Sequence, residues 1–311
     1  MLFVDTSRRG RPFAKDPAVV RFNSQYLLYY TLPTFGDGRP GDGWAIGIAR
    51  SVDLDSWEKI GEILPEQAPE RNGLCAPDAI VLDGKVHLFY QTYGNGRKDA
   101  ICHAVSYDGV RFRRNPTNPI FAPTGAWNCG RAIDADVIPH GDRLLLYWAT
   151  RDPDFQVQML GVSAAPLASD FGRDRWTQLC DASILKPELP WERKCIEAPA
   201  LCRRAGRLFM FYGGGYNNEP QQIGCAVSDD GVRWTRLADE PFLPNGAPGA
   251  WNASESGHPF VFTDDDGRTY LFFQGNNDMG QTWYLSWQEV AWQSVMPYLS
   301  SIEDSYEERS R

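Results

Sequence analysis

Five ionisable side chains recur along this chain wherever a short polar cluster opens an apolar run: Asp16, Asp78, Asp134, Glu197 and His258. They stand 56 to 63 residues apart. Carboxylates gathered in one place raise one another's pKa, and folding gains nothing from gathering them. A lone Asp16-Pro17 is commonly a turn cap. Carboxylates returning at one place in a repeat point instead to a shared site that handles protons.

The elements that would position them are legible as internal repeats. The copies run from Asp16-Pro17 to Thr31, Ala76-Pro77-Asp78 to Thr92, Ile133-Asp134 to Thr150, Glu197-Ala198-Pro199 to Gly213, and Gly257-His258-Pro259 to Gln274. Each holds a hairpin turn: Asn23-Ser24, Asp83-Gly84, Gly141-Asp142, Ala205-Gly206 or Asp266-Gly267. Such residues accept positive φ. The strand after each turn is apolar on both faces, as in Leu144-Leu145-Leu146-Tyr147-Trp148, which suits a strand sandwiched between neighbouring sheets. A second hairpin follows in several copies, for example Cys102 to Val105 and then Tyr107-Asp108-Gly109-Val110-Arg111-Phe112. Four antiparallel strands in each of five copies predict an all-β, five-bladed β-propeller. One domain over 1–311 is expected, with blades starting near 16, 78, 134, 197 and 258 and a charged tail at 303–311 frayed at the end.

In a propeller the first strand of each blade starts beside the central axis. The five leading residues are therefore expected to converge in one cup. Loops 33–44, 93–98, 151–156, 214–222 and 275–281 would rim it. Phe35, Trp44, Tyr93, Arg151, Tyr216 and Asn217 are candidate sugar contacts, aromatics stacking on sugar faces and polar groups meeting hydroxyls. Trp127, Trp191 and Trp251, six or seven residues before a leading residue, read as wedges between blades.

Composition limits the partners. The 311 residues carry a formal net charge of -9 with no basic run, so neither nucleic acid nor an anionic membrane surface has a footprint here. No apolar run reaches membrane-spanning length, and the first residues do not form a signal peptide. The seven cysteines are odd in number and lack metal-ligand spacing. They read as free thiols of a cytoplasmic protein. The sequence is silent on oligomeric state.

At the leading residues the chain resembles glycoside hydrolase family 43, the five-bladed β-xylosidases, α-arabinofuranosidases and arabinanases. Asp16-Pro17 resembles the family's general-base segment. Ala132-Ile133-Asp134 resembles the segment carrying the acid's pKa modulator, with Asp136 two residues on as a rival. Ile196-Glu197-Ala198-Pro199 resembles the general-acid segment. Gly257-His258, followed by Asp264-Asp265-Asp266-Gly267, resembles the fifth-blade motif. The resemblance implies an inverting glycosidase acting on a small oligosaccharide such as an arabinoside, xyloside or galactoside, and a cup closed at one end suggests exo action. Asp78, His258, Phe35, Trp44, Arg151 and Tyr216 would then contact substrate. Inversion itself requires no cofactor and no metal, although some members place a calcium ion near the axial histidine. Cys75-Ala76-Pro77 departs from the Trp-Ala-Pro common in the family and weighs against xylosidase-like specificity. Rival readings are a propeller glycosidase of another type, retaining and fructan-directed or anhydrogalactosidase-like, and a sugar-binding propeller without catalysis. The Arg151-Asp152-Pro153 triplet follows a second strand, which argues against the retaining type.

Overall fold

The computed structural model describes residues 2–39 and 42–300; the charged tail from 303 lies outside the described residues. Twenty strands form five antiparallel sheets of four. Blade 1 comprises β1 (Lys15–Phe22), β2 (Gln25–Leu32), β3 (Ala45–Ser51) and β4 (Glu58–Ile63). Blade 2 comprises β5 (Leu74–Leu82), β6 (Lys85–Thr92), β7 (Ile101–Ser106) and β8 (Arg113–Arg114). Blade 3 comprises β9 (Ile133–His140), β10 (Arg143–Arg151), β11 (Gln158–Pro166) and β12 (Thr177–Gln178). Blade 4 comprises β13 (Ile196–Arg204), β14 (Arg207–Gly214), β15 (Gln222–Ser228) and β16 (Thr235–Arg236). Blade 5 comprises β17 (Glu255–Thr263), β18 (Thr269–Asn276), β19 (Tyr284–Gln293) and β20 (Met296–Leu299).

First strands touch in the order β1, β5, β9, β13, β17 and back to β1, so the ring is closed. The N-terminal segment fastens that closure. Phe3 exchanges backbone bonds with Leu285, and Trp283 exchanges them with Pro12 and Ala14. Second strands are buried along nearly their whole length, as their two-sided apolar pattern requires.

The hairpin turns have the expected backbone. Asn23, Ser24, Asp83, Gly84, Ala205 and Gly206 all have positive φ. The interblade tryptophans act as wedges. Trp127 stacks on Trp148 (5.8 Å), Trp191 on Tyr212 (6.0 Å), and Trp251 packs on Phe273 (5.5 Å). Gly214 makes room for one of them, because a Cβ there would lie 2.2 Å from the Trp191 ring.

The feature that builds the site is a bulge repeated in every first strand. Lys15 pairs with Thr31 but Ala18 with Tyr29, so three steps on β1 face two on β2. The same break lies between Cys75 and Asp78, Ile133 and Asp136, Glu197 and Ala200, and Gly257 and Phe260. Within it, Asp16, Ala76, Asp134, Ala198 and His258 adopt φ between 43° and 52°. A left-handed backbone costs a residue with a Cβ about 1–2 kcal/mol. Five such residues at one level of the ring mark a place where side-chain direction matters more than local comfort.

The bulge also corrects the register expected from sequence. Asp16, Asp134 and His258 are structural equivalents. The equivalent in blade 2 is Ala76, not Asp78, and in blade 4 it is Ala198, not Glu197. Glu197 corresponds to Lys15, one step earlier. Asp78 corresponds to Asp136, two steps deeper along the axis.

Candidate active site

A bulge leaves the amide of its extra residue outside the ladder, and the neighbouring blade takes it up. Gln274 Oε1 of blade 5 accepts from Asp16 N (3.1 Å), Thr31 Oγ1 of blade 1 from Ala76 N (2.8 Å), and Gln91 Oε1 of blade 2 from Asp134 N (2.7 Å). Gln221 Oε1 accepts from His258 N (2.9 Å). Each bond is worth about 1 kcal/mol net and fixes one blade's functional backbone against the next. Gly257 serves the same clasp, since a Cβ there would fall 1.9 Å from Gln221 Oε1.

Asp16, Asp134, Glu197 and His258 do converge, all less than a tenth exposed except His258, which is half-buried by residue but inward-facing. His258 Nε2 lies 3.4 Å from Asp134 Oδ1 and 3.5 Å from Asp16 Oδ1. Burial opposes its charge, yet Asp16, Asp134 and Glu197 outweigh burial and raise its pKa to about 9. The imidazolium in turn helps Asp16. Burial would raise that carboxyl, but His258, Lys15 and bonds from Thr31 and the Ala76 amide hold it below its ordinary value. Glu197 goes the other way. Burial and then the Asp134 charge raise it, against His258, Gln221 and Lys15. Its carboxylate is gripped from both sides: Gln221 Nε2 donates to Oε1 (2.7 Å) and Gln158 Nε2 to Oε2. One cup thus holds two carboxyls whose environments push them in opposite directions, Asp16 down and Glu197 up.

Lys15, Glu255, Gln91, Gln158, Gln221 and Gln274 escaped the sequence reading. Lys15 lies half-buried over the Trp283 ring (4.4 Å). Burial opposes its charge, but Asp16, Glu255 and Glu197 hold it protonated. Burial raises Glu255 to about 7, although it accepts from Asn218 N (2.6 Å) and Gln274 Nε2 (3.3 Å). Asn217 reaches Glu255 (2.8 Å) and Lys15 (3.2 Å) when its amide is oriented to suit both. The available signal was Lys15 itself, a cation one residue from a leading aspartate in an otherwise apolar strand.

Of the other expected contacts, Trp44 belongs to an aromatic arc on the blade 1–2 side, 5.8 Å from Phe13 and 5.1 Å from Tyr93. Arg151 and Tyr216, from blades 3 and 4, pack together, the guanidinium 5.1 Å over the phenol ring. Phe35 is held between Arg8 (4.6 Å) and Arg39 (3.8 Å) in the 33–44 loop. Asp78 is not part of the cup. It accepts from Val137 N (3.0 Å) and, with Asp136, lines a separate cavity of about 410 Å³ farther along the axis. Asp136 is thereby removed from the cup as well. Asp152 of the Arg-Asp-Pro triplet spends one oxygen on the Gln156 and Val157 amides, and so shapes its own loop.

Near His258 the protein's own donors are few. A calcium ion takes six to eight oxygens. His258 offers one unpartnered nitrogen, Nδ1, and among the described residues no three His, Cys, Asp or Glu side chains are grouped to hold a metal. The seven cysteines are all unpaired, and six are buried. No helix among the described residues is long and apolar enough to cross a membrane.

A five-bladed ring with a carboxylate cup on its axis is a glycosidase-type propeller. The model of the family "Glycosyl hydrolases family 43" matches residues 10–295, and the chain belongs to that family. Among curated proteins it is similar to a xylosidase/arabinosidase 43A of Humicola insolens, 33% identical over 93 residues, 30% of this chain and 26% of that one. It is also similar to a 1,2-beta-oligomannan phosphorylase of Thermoanaerobacter sp. (strain X514), 28% identical over 207 residues, 64% of each chain. The chain therefore spans about a quarter and just under two thirds of these relatives' lengths. A solved thermostable family-43 glycoside hydrolase superposes with a TM-score of 0.72 at 19% identity, covering 93% of each chain, which concerns the fold alone.

Proposed function

We propose that this protein is an inverting glycoside hydrolase that removes terminal units from short plant-type oligosaccharides, arabinosides, xylosides or galactosides. One observation supports the reading: Asp16 and Glu197 share a buried cup in which the first carboxyl is lowered and the second raised from its ordinary value. Glu197 gives its proton to the glycosidic oxygen. Asp16 takes a proton from a water that attacks the opposite face of the sugar. Inversion needs about 6.5–9.5 Å between two such carboxyl groups to admit that water. Asp134 raises Glu197 by its charge and orients His258. His258 keeps Asp16 ionised, and Lys15 adds to that field. Trp44 and Tyr216 supply faces for sugar rings. Buried free thiols favour a reducing compartment, the cytoplasm.

The test is a screen of aryl arabinofuranosides, xylosides and galactosides, followed by proton NMR of the first product formed. Inverted anomeric configuration supports the reading, and retained configuration overturns it.

A second reading has its own support. Lys15 and His258 are two cations beside Asp16, where the attacking species stands, and they would also receive inorganic phosphate. Phosphorolysis is the reaction named for the Thermoanaerobacter relative. A sugar 1-phosphate formed in phosphate buffer, with no free sugar, would replace hydrolysis by phosphorolysis.

A further inference from the structure

Three guanidiniums gather round one ring at the rim beside Glu197. Arg151, Arg97 and Arg131 lie 4.5, 5.0 and 5.9 Å from the Phe155 centroid. The ring is placed for this by its loop. Phe155 has φ of 64°, and its amide bonds Asp152 O (2.9 Å) while Asp152 Oδ1 takes the next two amides. Arg97 Nη2 ties to Pro153 O (3.0 Å). Arg151 also covers Tyr216 (5.1 Å).

The cluster is joined to the proton donor through a single amide. Arg151 Nε donates to Gln158 Oε1 (3.0 Å), and Gln158 Nε2 donates to Glu197 Oε2. Gln158 is almost wholly buried, so this relay has a fixed direction.

The charges of the cluster are not spent within the protein. Elsewhere buried arginines meet carboxylates: Arg8 with Glu62 (2.7 Å), Arg114 with Glu70 (2.9 Å), and Arg236 with Glu192 (2.7 Å). Among the described residues no carboxylate comes within ion-pair distance of Arg97 or Arg151. Arg131 has one carboxylate, Asp99 at 3.7 Å, and its Nη1 donates to Gln158 Oε1 (3.5 Å), while its buried Nε makes no hydrogen bond. The three guanidiniums thus share one carboxylate, Asp99.

We infer that the leaving-group subsite takes an anionic sugar, its carboxylate or phosphate ester received by Arg151 and Arg131, with Arg97 guiding it in. A guanidinium matches either group through two parallel N–H bonds. The Phe155 ring keeps the three guanidiniums together. This inference rests on Glu197 as the proton donor of the proposed reaction.

The experiment compares disaccharides carrying the accepted terminal sugar on galacturonate, on galactose 6-phosphate and on neutral galactose. The expected result is kcat/KM at least about tenfold higher for one of the acidic pair than for the neutral compound, the step a single charge-assisted contact supplies. The higher of the two acids identifies the anion. Arg151→Ala with Arg131→Ala should bring the acidic-to-neutral ratio close to one, whereas Arg97→Ala should lower it partly and restore it at reduced salt. Equal wild-type rates on all three, or a preference surviving the double substitution, would overturn the inference and leave the hydrolase reading standing. Calorimetric binding of galacturonate, galactose 6-phosphate and galactose supplies the second readout. If no disaccharide is cleaved, the hydrolase reading falls, and equal binding of the three sugars still overturns the anionic subsite by itself.

Discussion

The two levels of the propeller axis carry similar groups in opposite states. At the bulge level, Asp16 and Asp134 stand against His258, with Lys15 behind, and Asp16 is held ionised. Two residues deeper, Asp78 and Asp136 share a buried site where burial, a neighbouring carboxyl and backbone amides act, and no cation is among them. Burial raises Asp78 to about 8, against bonds from the Val137 and Ala79 amides. Burial and then the Asp78 charge raise Asp136 well above the ordinary range, and its Oδ1 has no hydrogen-bond partner. The difference teaches that an aspartate on this axis does not define its own chemistry. A cation delivered by another blade does.

The comparison can be broken most forcefully at the bulge. Asp16→Asn should lower kcat by about 10²–10⁴-fold on natural and activated substrates alike, because both need the water deprotonated. Retained activity on either would remove Asp16 from the reaction. Glu197→Gln should cost a similar factor on natural glycosides but much less on aryl glycosides with good leaving groups. Similar losses on both would show that it is not the proton donor. His258→Gln should have a smaller effect on rate, with a distinctive pH signature. Without the imidazolium, Asp16 loses the largest influence lowering its pKa, so the acid limb of kcat/KM should move to higher pH. An unmoved limb would mean that the two levels do not differ by their cations.

The smallest effect belongs to the deeper level and concerns stability. Asp78 binds its proton up to about pH 8 in the folded chain, but in the unfolded chain it releases it near 3.8. The folded state therefore holds more protons between those values, and stability falls as pH rises through that window. Asp78→Asn removes the penalty while keeping an acceptor for the Val137 amide. It should raise Tm by a few degrees at pH 8 and leave it nearly unchanged at pH 4. Equal shifts at both pH values would place the effect in packing instead of protonation.

Much of this was legible before any coordinates. The five repeats, the hairpin turns at Asn23-Ser24 and Asp83-Gly84, and the tryptophan wedges all follow from local preference and two-sided apolarity. So did the choice of Asp16, Asp134, Glu197 and His258 as the groups to bring together. Asp78 was placed wrongly because a bulge is invisible in a repeat alignment. The Asp-Pro of blade 1 and the Ala-Pro-Asp of blade 2 align only when the residue before each proline is superposed, which pairs Asp16 with Ala76. The clasping glutamines were missed because each serves the following blade, 37 or 43 residues away along the chain or across the ring closure.

The sequence alone determined the strand count, the ring that those strands must close, and the residue types available at its axis. Period-2 geometry and turn chemistry act over a few residues, so they survive in one dimension. Only the tertiary structure decided which carboxylate meets a cation. Desolvation and the fields of Lys15, His258 and Asp134 come from different blades and act through space. The same distance that hides them from the sequence lets one axis keep Asp16 charged and Asp78 neutral.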